Sequence, residues 1–298
     1  MVDSASQRLK QDPYDQETTN LIAHLFMPKE GQNPNDRDKM AKVRTIFENI
    51  GKFFREETTG TPKYTDVTIY CDSSRYEHRG KKDKLGRKLY YDATTNTHLL
   101  YKEQSCHEGA GDIISLAVTY NPMRKHEQLD PQTNQMVISS KTVPTQIQLC
   151  PWFIDWIKDK EYKHGNDVAR RTKFGRWVIK KAESNQWLRQ IDAFSLLDKV
   201  LLHEMTHARQ AFIGSKGIDD MPSPGLLSFF PAYGWARAKA LAEKSPDVTG
   251  LDGWNEKTPD HNADSVALFG SACKLLDDPD NPRRVLEDGR IQIIPRRL

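Results

Sequence analysis

The segment Ser195-Leu-Leu-Asp-Lys-Val-Leu-Leu-His-Glu-Met-Thr-His207 carries the strongest structural signal in the chain. Ser195 with an acid three residues later resembles a capping box, which marks the first turn of a helix. Residues i and i+4 lie on one face of a helix, so His203 and His207 project side by side. We therefore predict a helix over residues 195–212 that presents two imidazoles to one zinc ion.

Glu204 supplies the second part of this HExxH pattern. It lies about 100° around the helix from His203, where it can approach a water molecule without binding the metal itself. Zinc lowers the pKa of a bound water to about 7, and a neighbouring carboxylate can take its proton as general base. The pattern seldom arises by chance, and polar side chains on a buried helix need partners. It predicts one zinc ion and a hydrolytic reaction.

A catalytic zinc usually has three protein ligands and one open position, so one more ligand must come from another segment. Residue spacing alone does not choose among the downstream candidates. These candidates are Asp219, Asp220, Glu243, His261 and Asp264.

Composition limits the classes of partner. The chain has 298 residues, of which 37% are hydrophobic and 29% charged, and its formal net charge is +3. This even charge balance gives no support for a nucleic-acid partner. No apolar run approaches the roughly 20 residues that cross a bilayer, so we expect no membrane partner. The sequence does not indicate the oligomeric state.

The cysteines and the first residues bear on the compartment. Cys71, Cys106, Cys150 and Cys273 match no zinc-ribbon or CxxC pattern. An even number is compatible with two disulfides in an oxidising compartment, and equally with four buried thiols. The polar start, Met1-Val-Asp-Ser-Ala-Ser, has no signal-peptide core. We expect a secreted protein whose signal peptide is absent from this sequence, with a cytoplasmic protein as the alternative.

Hydrophobic periodicity predicts helices, then strands, then helices, an order typical of an α+β fold. The predicted elements are helices at 17–27, 38–56, 233–243 and 261–276, and strands at 66–71, 113–120 and 145–150. The strand at 145–150 alternates cleanly, which favours an exposed or edge position. We expect residues 277–298 to form a loosely packed tail.

Three segments resemble the deuterolysin group of fungal zinc metallopeptidases, the aspzincins. They are Leu201-Leu-His-Glu-Met-Thr-His-Ala208, Gly217-Ile-Asp-Asp220 with Ala232-Tyr-Gly234, and Asn262-Ala-Asp-Ser265 with Ala267-Leu-Phe269. The resemblance implies a zincin-like metallopeptidase fold, with a small mixed or antiparallel sheet lobe and a helical lobe that carries HExxH. We expect one catalytic domain over 1–276, followed by the tail. Its parts are a helical part at 1–60, sheet and loops at 61–190, and the zinc-helix lobe at 191–276.

The resemblance also implies residue roles. Asp220 would be the third zinc ligand, Tyr233 would donate a hydrogen bond to the developing oxyanion, and Asp264 would support a ligand or line the substrate pocket. The family threonine is Ile218 in this chain, and residues 221–231 interrupt the Asp-x-x-Tyr-Gly signature. This insert could be a lid or a substrate-binding loop. It could also move Asp220 out of reach and leave the ligand role to Asp264.

The predicted function is a zinc metalloendopeptidase that acts on a peptide or protein substrate, with Glu204 as general base. Such a substrate could add a strand to a sheet edge near residues 145–149 or 114–118. One alternative is a zinc hydrolase or lyase that acts on a small-molecule metabolite. A second is a secreted protein that binds zinc without catalysis. The sequence does not indicate a cleavage specificity.

Overall fold

The structure is a computed structural model. It describes residues 1–53, 67–100, 104, 106, 115–129, 136–158, 189–212, 217–225, 228–251 and 257–295. Helices come first along the chain, strands follow, and helices return after them, as predicted. A short pair of strands ends the described chain. The α+β class is therefore confirmed. The ends of three predicted elements, at 54–56, 66 and 113–114, lie outside the described residues.

Eight α-helices lie in the described part of the chain. Their bounds are α1 (Val2–Arg8), α2 (Gln16–Leu25), α3 (Ala41–Phe53), α4 (Pro151–Lys158), α5 (Gln190–Ala193), α6 (Leu196–Thr206), α7 (Trp235–Lys244) and α8 (Ala263–Leu276). A short 3-10 helix, Pro259–His261, precedes α8. The helices predicted from sequence are present. The capping box predicted at Ser195 is wrong, because Ser195 adopts a left-handed conformation with φ +44° and its side chain makes no capping hydrogen bond. The HExxH helix α6 ends at Thr206 rather than near residue 212. No helix in this part of the chain is both long and apolar enough to cross a membrane.

The main core is built around α8, which is buried along almost its whole length. Aromatic rings of Phe47 and Phe269 lie in this core, with centroids 6.1 Å apart. Gly270 faces α6, where an added Cβ would lie only 2.6 Å from Leu202 Cδ2. The absence of a side chain at this position therefore lets α6 and α8 pack closely, and it fixes the HExxH helix against the core.

Ten short strands form four small sheets in the described residues. Their bounds are β1 (Val67–Tyr70), β2 (Tyr76–Lys82), β3 (Lys88–Asp92), β4 (Thr97–His98), β5 (Ala117–Tyr120), β6 (Met123–Leu129), β7 (Met136–Thr142), β8 (Thr145–Leu149), β9 (Arg283–Val285) and β10 (Ile291–Ile293). The sheet nearest α6 has the order β1-β8-β5. In it, β8 pairs in parallel with β1 and antiparallel with β5.

The prediction that the strand at 145–150 is exposed or at an edge is wrong. All five residues of β8 are buried, and the strand is the central one of its sheet. The alternation came from Gln146 and Gln148, which are polar but not solvent-facing. Arg75 Nη1 donates to Gln148 Oε1 at 2.5 Å, and its guanidinium stacks 3.6 Å from the centroid of the Tyr70 ring. A buried polar network thus mimics the pattern of a half-exposed strand.

The expectation of a loosely packed tail is also wrong. Strands β9 and β10 pair as an antiparallel hairpin that packs against the helical core. Val285 is buried there, and Trp235 Nε1 donates to the Glu287 carbonyl at 2.9 Å. The C-terminal segment therefore packs through a buried apolar side chain and a hydrogen bond, although its charged sequence predicted neither.

The four cysteines form one disulfide and two free thiols, and so match neither the expectation of two disulfides nor that of four buried thiols. Cys106 and Cys150 form a disulfide, which ties the start of α4 to the segment at residue 106. Cys71 is an exposed thiol and Cys273 a buried one.

Candidate metal centre

Three donor atoms converge beside the C-terminal end of α6. Nε2 of His203 and Nε2 of His207 lie 3.2 Å apart. Asp220 Oδ1 lies 3.1 Å from His203 Nε2 and 3.4 Å from His207 Nε2. Ligands around a tetrahedral zinc at about 2.0–2.1 Å lie about 3.3–3.4 Å from each other. The three separations therefore fit three corners of such a tetrahedron. His203, His207 and Asp220, which we call the metal group, can hold a metal ion.

A glycine brings the chain back to this helix end. Ile218 N donates to the Thr206 carbonyl at 3.0 Å, immediately after Gly217. Gly217 has φ +83°, and an added Cβ would lie 2.3 Å from the His207 carbonyl oxygen. Only glycine permits both this left-handed conformation and this approach. Gly217 therefore lets the segment that leads to Asp220 lie directly against the end of the HExxH helix.

Replacing Gly217 by Ala is expected to weaken metal binding and to destabilise the fold, because the methyl group must push the loop from α6. We expect a loss of about 1–3 kcal/mol in the free energy of unfolding, measured by denaturant titration. Gly31→Ala is the matched control: Gly31 has φ +80°, but an added Cβ meets nothing within 4 Å. Equal effects of the two substitutions would show that the close approach is unimportant.

The insert at 221–231 does not carry Asp220 away from the histidines. The chain turns back on itself, since Ala232 N donates to the Met221 carbonyl and Ser223 N to the Phe230 carbonyl, each at 2.7 Å. Asn262 braces the base of this loop, because its Oδ1 accepts from Met221 N at 3.1 Å. The insert is therefore a closed loop that leaves Asp220 at one end of its base and Tyr233 at the other.

Tyr233 lies at the metal group. Its hydroxyl donates to Asp220 Oδ2 at 2.6 Å, and its ring packs edge-on to His203 with centroids 5.5 Å apart. Burial and the neighbouring Asp220 carboxylate both raise the pKa of Tyr233, so the phenol keeps its proton at neutral pH. The residue as a whole is 45% exposed, so it also borders solvent. Its role towards an oxyanion stays a prediction.

Hydrogen bonds on the far side of each imidazole orient the two rings. His207 Nδ1 lies 2.6 Å from the Ile218 carbonyl, which can only accept, so this nitrogen carries the proton and Nε2 presents its lone pair. His203 Nδ1 lies 3.4 Å from Asp264 Oδ1. Asp264 is itself held by the Gly234 N–H, which donates to Oδ2 at 2.6 Å. Asp264 thus contacts the Nδ1 side of the His203 ring, opposite the nitrogen that faces the metal group. It is not one of the three converging donors.

Replacing Asp264 by Asn is expected to lower metal affinity about 10–100-fold, because the imidazole of His203 loses its charged acceptor. Competition with a chromogenic chelator would measure the change. Asp219→Asn serves as the control, since the Asp219 side chain is 73% exposed and faces His261 at 3.4 Å instead. Loss of affinity in Asp219→Asn with none in Asp264→Asn would contradict this arrangement.

The remaining candidate ligands lie elsewhere. Asp219 and His261 face each other outside the converging group. Glu243 pairs with Lys239 at 3.8 Å on α7. Of the five candidates, Asp220 is therefore the one that the structure brings to the Nε2 atoms of both histidines.

The group stabilises positive charge. Burial lowers the pKa of His203, but the carboxylates of Asp220, Asp264 and Glu204 together raise it well above its usual value. The pKa of His207 is raised in the same way. Burial raises the pKa of Asp220, and the two imidazoles reverse this and hold it well below its usual value. A divalent cation meets the same attraction.

Glu204 is buried beside the two histidines and is held by strand β5. Thr119 Oγ1 lies 2.7 Å from Glu204 Oε2 and 3.0 Å from the Glu204 carbonyl oxygen, so its hydroxyl can donate to either. The carboxylate is fixed without an ion pair in the described residues. Sequence reasoning missed Thr119, because it lies 85 residues away along the chain and no local pattern marks it.

Comparisons with protein-family models, with curated proteins and with solved structures found no match. The likeness to the aspzincins is carried by the three sequence segments alone and stays a prediction.

Proposed function

We propose that the protein is a zinc-dependent peptidase of zincin-like architecture, with His203, His207 and Asp220 as zinc ligands and Glu204 as general base. The observation that carries the proposal is the convergence of three donor atoms at 3.1–3.4 Å beside a fixed carboxylate. Two imidazoles and one carboxylate are a donor set that catalytic zinc uses, with a fourth position left for water or substrate.

The chemistry divides between the metal and the chain. Bound zinc would lower the pKa of water and polarise the substrate carbonyl. Glu204 would accept a proton from the attacking water at a carboxylate oxygen and pass it to the leaving amine. Thr119 keeps that carboxylate in place through its hydroxyl.

Tyr233 would act on the carbonyl oxygen. Its phenol is protonated and borders solvent, and its hydroxyl donates to Asp220. Turning this donor towards the substrate would stabilise charge that develops only in the transition state. This movement is part of the proposal.

Two further observations support a peptide substrate in an oxidising compartment. Within the described residues, β5 is one of the two edge strands of its sheet and the one that contacts α6, so an extended peptide could pair with it. The central strand β8, at 145–149, has no open edge in this sheet. The Cys106–Cys150 disulfide is of the kind that persists outside the reducing cytosol. We therefore propose that the protein acts as a secreted enzyme.

Metal analysis followed by a peptide-library digest tests the proposal. We expect one zinc ion per chain, cleavage of internal peptide bonds, loss of cleavage on chelation, and recovery when zinc is returned. Bound zinc without hydrolysis of any peptide would contradict a peptidase and would favour a zinc-binding protein or an enzyme acting on a small molecule.

Zinc affinity should depend on pH, because zinc binds only imidazoles that have lost their proton. Burial lowers the pKa of His203, yet the neighbouring carboxylates, Asp220 first among them, raise it well above the usual 6.5. We therefore expect zinc affinity to decline as the pH falls, starting above pH 6.5. Competition with a chelator at several pH values above and below 6.5 measures the zinc affinity. Constant affinity down to pH 6.5 would contradict the expected competition between zinc and protons.

The chelated protein should show the opposite dependence. The raised pKa of His203 means that its charged pair with Asp220 stabilises the fold fully below pH 6.5, provided that Asp220 is ionised. This contribution is lost as the pH rises through the raised pKa of His203. Thermal unfolding of the chelated protein at several pH values would show the loss.

A further inference from the structure

We propose that Phe229 and Phe230, which we call the aromatic tip, form a subsite that selects bulky apolar side chains of an extended peptide substrate. The selected side chain would lie two or three residues from the cleaved bond. This inference rests on the proposed function and names the substrate class for the same site.

The aromatic tip exposes apolar surface to solvent. Phe229 is 73% exposed and Phe230 is 46% exposed. The two rings contact each other, with centroids 4.5 Å apart, and so form one continuous surface. Single exposed apolar residues are common, whereas adjoining exposed apolar side chains are typical of surfaces that contact a ligand or partner.

Hydrogen bonds brace the base of the loop that carries the tip. The Ser223–Phe230 backbone hydrogen bond and the bond from Ser223 Oγ to the Pro231 carbonyl, at 2.9 Å, close the loop beneath it. Pro222 and Pro231 pair across the loop, and their rings fix φ. A preorganised surface of this kind loses little conformational entropy when a ligand binds.

The spacing along the loop sets the position of the subsite. Phe230 lies two residues before Ala232, which is about 7 Å of extended chain. A bound extended peptide covers the same length in two residues. Phe230 is also level with Ser223, three residues from Asp220, through the backbone hydrogen bond between them. A substrate that runs along this loop with its carbonyl at Asp220 and Tyr233 would place a side chain two or three residues away beside the tip.

The chemistry of the tip favours apolar and aromatic side chains over basic ones. The guanidinium carbon of Arg237 lies 5.6 Å from the centroid of the Phe230 ring. The Arg237 cation already lies over this ring and would repel a substrate lysine or arginine that approached it. The pair should accept Phe or Leu and disfavour Lys.

A matched set of peptides tests the subsite. Positions two and three on each side of the cleaved bond carry Phe, Leu, Ser or Lys in turn, and kcat/KM is compared for the wild type and the Phe229→Ser/Phe230→Ser double variant. We expect about a tenfold or greater preference for Phe or Leu over Ser at one of these positions in the wild type. The double variant should lose this preference through a higher KM. Leu85→Ser, at a distant side chain that is 76% exposed, should keep it.

Binding gives a readout that does not depend on turnover. The preferred peptide, labelled with a fluorophore, is titrated onto zinc-loaded Glu204→Gln with and without the two serine substitutions. We expect about tenfold weaker binding without the aromatic tip and unchanged zinc content. Equal affinity, or hydrolysis with the same preference in wild type and double variant, would overturn the subsite alone. A zinc-loaded wild type that cleaves no peptide would overturn the proposed function itself.

Discussion

Replacing Glu204 by Gln is expected to lower peptide hydrolysis by about 10²–10⁴-fold while the protein keeps its zinc. Gln has nearly the same shape and can still contact Thr119, but its amide cannot accept a proton from water. The three converging donors are on His203, His207 and Asp220, so the substitution leaves the metal group intact. Steady-state kinetics with one fluorogenic peptide, together with metal analysis of the same samples, measures both parts.

Glu243→Gln is the matched control, because Glu243 lies on α7 with a half-exposed side chain and pairs only with Lys239 among the described contacts. It should hydrolyse the peptide at the wild-type rate. If Glu204→Gln kept full activity, Glu204 would not be the base. If it lost its zinc, the carboxylate would belong to the ligand set.

Replacing Lys42 by Met is expected to lower the free energy of unfolding by about 3–5 kcal/mol. Lys42 Nζ lies 2.9 Å from Asp260 Oδ2, and the two side chains are 1% and 0% exposed. Removing the ammonium leaves a buried carboxylate without this cation, and water cannot compensate for it. Denaturant unfolding followed by tryptophan fluorescence measures the change.

The same pair also supports the metal centre from a distance. Asp260 lies in the short helix that leads to His261 and Asn262, and the His261 carbonyl accepts from Asp219 N at 3.2 Å. Loosening this turn should therefore weaken zinc binding as well as stability.

Lys10→Met is the control for the charge pair, because Lys10 meets Glu48 at 3.6 Å with side chains 60% and 43% exposed. Exposed pairs contribute about 0–1 kcal/mol, so little change is expected. In Lys42→Met/Asp260→Leu both charges are absent, and part of the lost stability should return. A cost in Lys42→Met as small as that in Lys10→Met would contradict the importance of the buried pair.

Local patterns predicted the HExxH helix but not its two ends, since Ser195 makes no side-chain cap and the helix ends at Thr206. The four-residue spacing of His203 and His207 follows from helix geometry, and the apolar residues around them favour a packed helix. The structure places the two Nε2 atoms 3.2 Å apart, as that spacing predicts. The α+β class followed from the order of periodic segments in the same way.

The third donor could not be obtained from spacing. Residue spacing left five candidates, and the resemblance to the aspzincins favoured Asp220 in spite of the insert at 221–231. The answer depends on contacts between distant segments, such as Asn262 with Met221 and Gly217 with the end of α6. No local pattern encodes these contacts.

Buried polar groups account for the features that the sequence did not predict. Gln146 and Gln148 made a central strand look half exposed, because hydrogen bonds to Arg75 replace solvent. The pairing of Lys42 with Asp260 is likewise invisible in sequence, since each residue alone is typical of a surface. Both cases need the fold before the partner can be named.

Anomalous diffraction from zinc-soaked crystals, recorded on either side of the zinc absorption edge, tests the central claim most directly. We expect one peak bounded by His203 Nε2, His207 Nε2 and Asp220 Oδ1, at about 2.0–2.2 Å from each atom. A peak held by other residues, or no peak at these three atoms in zinc-saturated crystals, would contradict the account.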